Sequence, residues 1–142
     1  MRAPATVRYV APPPAGVNNP GCLSPCATIN YAISQSGYGD RINVASGIYT
    51  EHITTTNGVS VHGTDWLTTI ITGNSPQPTH CQFSGGIDAT TVLSGVRVSG
   101  GGNGNPATSS NGSGIRITGG SSPQIINTWL YSNTSQRAAA CQ

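Results

Sequence analysis

Asp40, Glu51, Asp65 and Asp88 are the only acidic side chains in the chain. Hydrolysis of a glycosidic bond usually takes two carboxyl groups, one on either side of it. None of the four stands at an i,i+2 or i,i+4 spacing, so folding would have to bring a pair together. Glu51 with Asp65 and Asp65 with Asp88 are the pairs to inspect. Arg97 and Arg116 each sit between apolar residues, in Val96-Arg97-Val98 and Ile115-Arg116-Ile117. They could project outward one strand layer apart, as the base of an elimination reaction would. Calcium-assisted elimination also needs clustered carboxylates, and none accompany them. The plainer roles are turn residues for Asp40 and Asp65, a surface group or arginine partner for Glu51, and solubilising charges for the two arginines.

His52, His62 and His80 could serve as metal ligands or as a base, and otherwise read as surface or turn residues. Ser and Thr are too abundant for any one to stand out as a nucleophile, and no nucleophile elbow or phosphate loop occurs. Trp66, Trp129 and Tyr131 could stack on sugar rings if exposed. Trp129 and Tyr131 share strand parity, so they point to one side, either as a small platform or as filling for the core under a further layer. The runs Thr54-Thr55-Thr56 and Thr68-Thr69 do not repeat as the Thr-x-Thr rows of an ice-binding face would.

Cysteines at 22, 26, 81 and 141 allow three pairings, with Cys22 and Cys26 close enough for a local bridge. A zinc site would need a second close ligand pair, which Cys81, Cys141 and the histidines do not supply. No metal or cofactor is expected. Asn111 and Asn133 head sequons that could accept N-glycans in a host able to attach them.

Only 7% of residues are charged, with six Arg, no Lys and a net charge of +2. A balance this small, without a basic run, points away from nucleic acid. Solubility must come from 17 Thr, 16 Ser and 11 Asn. No stretch approaches the roughly 20 apolar residues of a membrane span, and the first ten residues lack a signal-type apolar core, so the chain reads as processed and not membrane-inserted. Even cysteine count and polar composition favour a secreted or cell-surface setting.

The elements that must position these groups are short. Residues 6–10 alternate as a strand, and Pro12-Pro13-Pro14 stop it. Residues 24–36 read as a helix, with Ser24 as cap, Pro25 in the first turn, and Ile29, Ala32 and Ile33 on one face. Gly37 and Gly39 end it. After Gly39 come apolar pieces of two to four residues, around Ile42, Ile48, Ile53, Val61, Ile70, Leu93, Val98, Ile115, Ile125 and Leu130, separated by Gly, Asn, Ser or Thr. Such pieces bury little alone and suit stacked layers whose neighbours complete a core. Residues 92–100 align with 125–133, Val92 falling on Ile125 and Val96 on Trp129. Residues 101–112 read as an inserted surface loop.

Tyr9-Val10-Ala11, residues 19–33 with Cys22-Leu23-Ser24-Pro25-Cys26, and residues 39–51 with Gly47-Ile48-Tyr49 resemble the opening of right-handed parallel β-helix proteins of the pectin-lyase-like superfamily. The resemblance implies an all-β fold, a short right-handed parallel β-helix with an N-terminal capping helix, as one domain over 1–142. Within it, 1–38 would be opening strand, loop and cap, and 39–142 the rungs. That superfamily includes lyases, glycoside hydrolases, surface proteins and phage tailspikes, so the fold assigns no reaction. The chain reads as shorter than such enzymes, and the function expected is an extracellular structural or surface-assembly module without a catalytic site. It would self-associate or bind a protein partner through the last rung, around Leu130 and Tyr131. The alternative is a polysaccharide-binding or polysaccharide-degrading fragment using Glu51, Asp65, Asp88, Arg97 or Arg116, with Trp66, Trp129 and Tyr131 against the sugar.

Overall fold

The computed structural model describes residues 4–73, 81–101 and 114–133. His80, Asn111, Cys141 and, Gly101 apart, the expected loop at 101–112 lie outside them. The described residues are mostly β, with parallel sheets and one short α-helix. Strand β1 (Val7–Val10) precedes a 3-10 turn (Pro20–Cys22) and helix α1 (Ile29–Ser34). β2 (Arg41–Val44), β3 (Gly47–Thr50), β4 (Ile53–Thr54), β5 (Ser60–Gly63), β6 (Thr69–Thr72) and β7 (Cys81–Phe83) follow. β8 (Val92–Ser94), β9 (Arg97–Ser99), β10 (Ile115–Ile117), β11 (Gln124–Ile126) and β12 (Trp129–Tyr131) complete the described elements.

From β2 onward successive strands go to three sheets in rotation. Sheet one runs β1-β2-β5-β8-β11, sheet two β3-β6-β9-β12 and sheet three β4-β7-β10. Every pairing between these strands is parallel. The arrangement follows from strands too short to bury an apolar face alone. Ile42, Val61 and Leu93 stack in register in sheet one, Tyr49, Ile71 and Val98 in sheet two, and Ile53, Cys81 and Ile115 in sheet three, all buried. Each column's neighbours above and below complete its apolar contacts, as they do for repeat proteins.

Three expectations need correction. The helix begins at Ile29, with Thr28 extended and its hydroxyl accepting from the Tyr31 amide at 3.3 Å. Ser24 and Pro25 precede it because Cys26 belongs to the edge of β1. Its amide donates to the Tyr9 carbonyl at 2.8 Å, and its carbonyl accepts from the Ala11 amide at 2.9 Å. A disulfide to Cys22 fixes it there. A helical Cys26 would forfeit these bonds.

The second correction is one residue of register. Leu93 pairs with Ile125 and Val98 with Leu130, so Arg97, not Val96, lies beneath Trp129. A one-residue slip exchanges the two faces of a strand. Only the observed register keeps buried Leu93 and Val98 under Ile125 and Leu130, which pack against the core. Gly95 and Asn127 both take positive φ, as do Gly100 and Ser132, and mark the same corners in consecutive layers. Third, Arg97 and Arg116 are not stacked on one wall, since β9 belongs to sheet two and β10 to sheet three.

Candidate functional site

The corner where sheet one turns into sheet two carries a groove. Its sheet-one wall holds His62 and Ser94, the middle members of an outward row in which Asn43, His62, Ser94 and Ile126 pair in consecutive layers. His62 Nδ1 and Ser94 Oγ lie 2.7 Å apart, and Arg41 Nε donates to Asn43 Oδ1 at 2.8 Å. Burial, helped by the charge of Arg41, holds the His62 imidazole below the ordinary histidine pKa. The floor is made by backbone packed on backbone. A Cβ on Gly63 would come 2.2 Å from the Gly95 carbonyl oxygen, and one on Gly95 2.5 Å from that of Gly63. Only glycine at both places lets the two layers meet this closely, and Gly95 adds a φ of +66°. The resulting polar cavity, about 520 Å³, reaches from Arg41 and His62 past Asp65 to Asn127.

Trp66 also lines this cavity, and two further rings follow it along the surface. Trp66, Trp129 and Tyr131 are 39%, 40% and 51% exposed. Trp66 and Trp129 meet edge to face at 5.1 Å, and Trp129 and Tyr131 lie 5.1 Å apart at a tilt of 54°. The Arg97 guanidinium sits 5.8 Å from the Trp129 ring centre and 5.9 Å from that of Tyr131. Its Nε is buried without a hydrogen-bond partner among the described residues. A second hollow of about 300 Å³ opens between Trp66, Asn127, Thr128 and Trp129. The rings therefore do not fill the core, and Leu130, half-buried between them, points inward instead.

Of the carboxylates, Asp65 lines the polar cavity and Glu51 and Asp88 do not. Glu51, between β3 and β4, accepts from the amides of Ile29 at 2.8 Å and Asn30 at 2.9 Å, and so holds the start of α1. Burial raises its pKa more than these two bonds lower it. Asp65, between β5 and β6, accepts from the Leu67 amide at 2.8 Å in its own turn. Asp88, between β7 and β8, accepts from Thr90 and weakly from Asn57 and Tyr38, and these bonds lower its pKa. The three thus occupy three different corners of the strand rotation, and neither inspected pair converges. Arg116, opposite Gln82 in sheet three, joins none of them.

Among the described residues no three His, Cys, Asp or Glu side chains group as metal ligands. Cys81 is a buried free thiol in the sheet-three column, its pKa pushed up to about 12 by burial and then by the charge of Glu51. Asn133, the second sequon asparagine, packs inward. Its amide is buried, donating to the Val98 carbonyl at 2.9 Å and accepting from the Gly101 amide at 2.9 Å. A glycan on Nδ2 would displace both layers. No helix of the described residues is long and apolar enough to cross a membrane.

The meeting of His62 with Ser94 is what sequence reasoning missed. It depends on a 32-residue register, visible only once Val61-His62-Gly63 is laid on Leu93-Ser94-Gly95.

The chain matches no protein-family model, no curated protein and no solved structure.

Proposed function

We propose that the chain is a right-handed parallel β-helix of the pectin-lyase-like kind, working outside the cell or on its surface as a polysaccharide-binding module. The strand rotation through three parallel sheets and the resemblance of the opening segment support the architecture. The Cys22–Cys26 disulfide favours the compartment. One observation carries the function. Three exposed rings, propped by a buried-Nε arginine, stand beside a polar groove. Sugar rings offer an apolar face to stack on such aromatics and hydroxyls to exchange bonds with Asn127, Ser94 and Arg41.

Affinity electrophoresis through gels containing soluble plant or bacterial polysaccharides tests this. A retarding polysaccharide is expected, with retention weakened ~10-fold, about 1.4 kcal/mol, in Trp129→Ala and Tyr131→Ala. Equal retention of the wild type and both variants would refute the reading. A second reading, assembly through the last described layer, draws on the partial exposure of Ile125 and Leu130, whose partners Leu93 and Val98 are buried. It would replace the first if no polysaccharide retards the protein and it runs as an oligomer that Leu130→Asp dissociates.

A further inference from the structure

The His62–Ser94 contact sets an imidazole against a hydroxyl on adjacent paired strands. The 2.7 Å separation lies within the range at which an imidazole takes a hydroxyl proton. Both side chains are half-buried and open into the 520 Å³ cavity rather than into the core. Accepting from Ser94 requires Nδ1 to be unprotonated. Burial and the Arg41 charge both favour that neutral form. Arg41 lines the same cavity with its orientation fixed by the bond to Asn43, and Asn127 adds a polar group to that wall. Among the described residues no carboxylate is bonded to His62; Asp65 lines the same cavity, its carboxylate accepting from the Leu67 amide at 2.8 Å.

We infer that Ser94 and His62 form a catalytic pair that hydrolyses short-chain carboxylic esters bound in this groove. Ser94 Oγ attacks the ester carbonyl carbon while its proton passes to His62 Nδ1. The carbonyl oxygen becomes negative, and Arg41 supplies the compensating positive charge in the cavity. The bond to the alcohol oxygen then breaks, and that oxygen takes the proton back from Nδ1. Water attacks the acyl-Ser94 carbonyl, giving a proton to Nδ1. Oγ leaves, recovers that proton, and the carboxylic acid departs. Nothing is oxidised or reduced, and the sum is ester plus water to acid plus alcohol. That the natural ester is an O-acylated saccharide rests on the polysaccharide reading above; the chemistry of the pair does not.

The test uses the whole chain with probes that carry no sugar. A fluorophosphonate should add once, at Ser94, by intact mass and peptide mapping. The adduct should be absent in Ser94→Ala and form at least ~10-fold more slowly in His62→Gln. Turnover of 4-nitrophenyl acetate should fall ~100-fold in either variant, the low end of what a general base contributes. In the wild type it should rise with pH through the titration of His62 and then level off. An unlabelled Ser94 in the wild-type chain, or Ser94→Ala as active as wild type, would overturn the inference. Labelled Ser94 without polysaccharide retention would keep the pair and remove the saccharide reading, whereas retention without labelling would do the reverse.

Discussion

Replacing Asp40 by Asn tests what holds the cap onto the first layer. Asp40 Oδ1 accepts from the Thr6 amide at 2.8 Å, and Oδ2 accepts from the Gly37 amide at 2.9 Å and from Arg8 Nη2 at 3.0 Å. Arg8 also donates to the Gly21 carbonyl at 2.9 Å and to Ser36 Oγ at 3.0 Å. One ion pair therefore ties β1, the 3-10 turn and the end of α1 to the start of β2, with side chains only 12% and 9% exposed. Breaking a buried pair by removing one charge costs about 3–5 kcal/mol. Asn keeps the shape and can still accept one backbone bond, which places the expected loss near the lower end, about 3 kcal/mol. Urea unfolding followed by far-ultraviolet circular dichroism should give a lower midpoint at an unchanged slope. The pH dependence sharpens the test. Burial alone would raise the Asp40 pKa, but the bonds from Gly37 and Thr6 and the Arg8 charge outweigh it and bring it below the ordinary value. A depressed folded-state pKa gives stability that is present above the unfolded value and lost as pH falls through the folded one. The gap between wild type and variant should therefore be widest near neutrality and narrow on acidification. A neutral-pH difference under about 0.5 kcal/mol, the range of an ordinary surface substitution, would refute the reasoning, as would a gap that does not change with pH.

Glu51 should behave with the opposite sign. Its folded-state pKa is raised, so the cost of burying its charge falls away as pH drops through that value toward the unfolded one. Relative to Glu51→Gln, the wild type should gain stability on acidification, and parallel pH profiles of the two unfolding midpoints would count against this. Gly95→Ala should lose at least about 2 kcal/mol, read as a drop in thermal midpoint, because it adds the cost of a left-handed residue to a clash with the Gly63 backbone. Asn127→Gly, at the equivalent corner with φ +47°, should leave the midpoint unchanged or raise it. A destabilised Asn127→Gly alongside a tolerated Gly95→Ala would show that the corners are not equivalent.

The strands after Gly39 were legible because each carries its own apolar residues and is bounded by turn formers, so local pattern and final position agree. β7 was not, since Cys81-Gln82-Phe83 has neither a β-branched residue nor a run long enough to show alternation. The start of α1 misled for a different reason. Ser24 and Pro25 satisfy every local rule for a helix start, and what overrides them is the bridge between Cys26 and Val10 in the distant edge strand.

The same distinction explains the site. Trp66, Trp129 and Tyr131 could be singled out by residue type, but whether they faced water or the core turned on one residue of register. Aligning like with like puts Trp129 over Val96 and leaves open which side it faces. Burial decides, because Leu93 and Val98 need Ile125 and Leu130 above them. The displaced aromatics are thereby turned outward onto Arg97. The register that exposes the rings also follows the one that sets His62 against Ser94, since Val61 pairs with Leu93 and Leu93 with Ile125 in a single column. Packing inside the column thus determines which polar and aromatic groups share the outer groove. A substitution that shifted β8 and β9 together by one residue would remove the Ser94 contact and the Arg97–Trp129 contact together, although the two lie in different sheets.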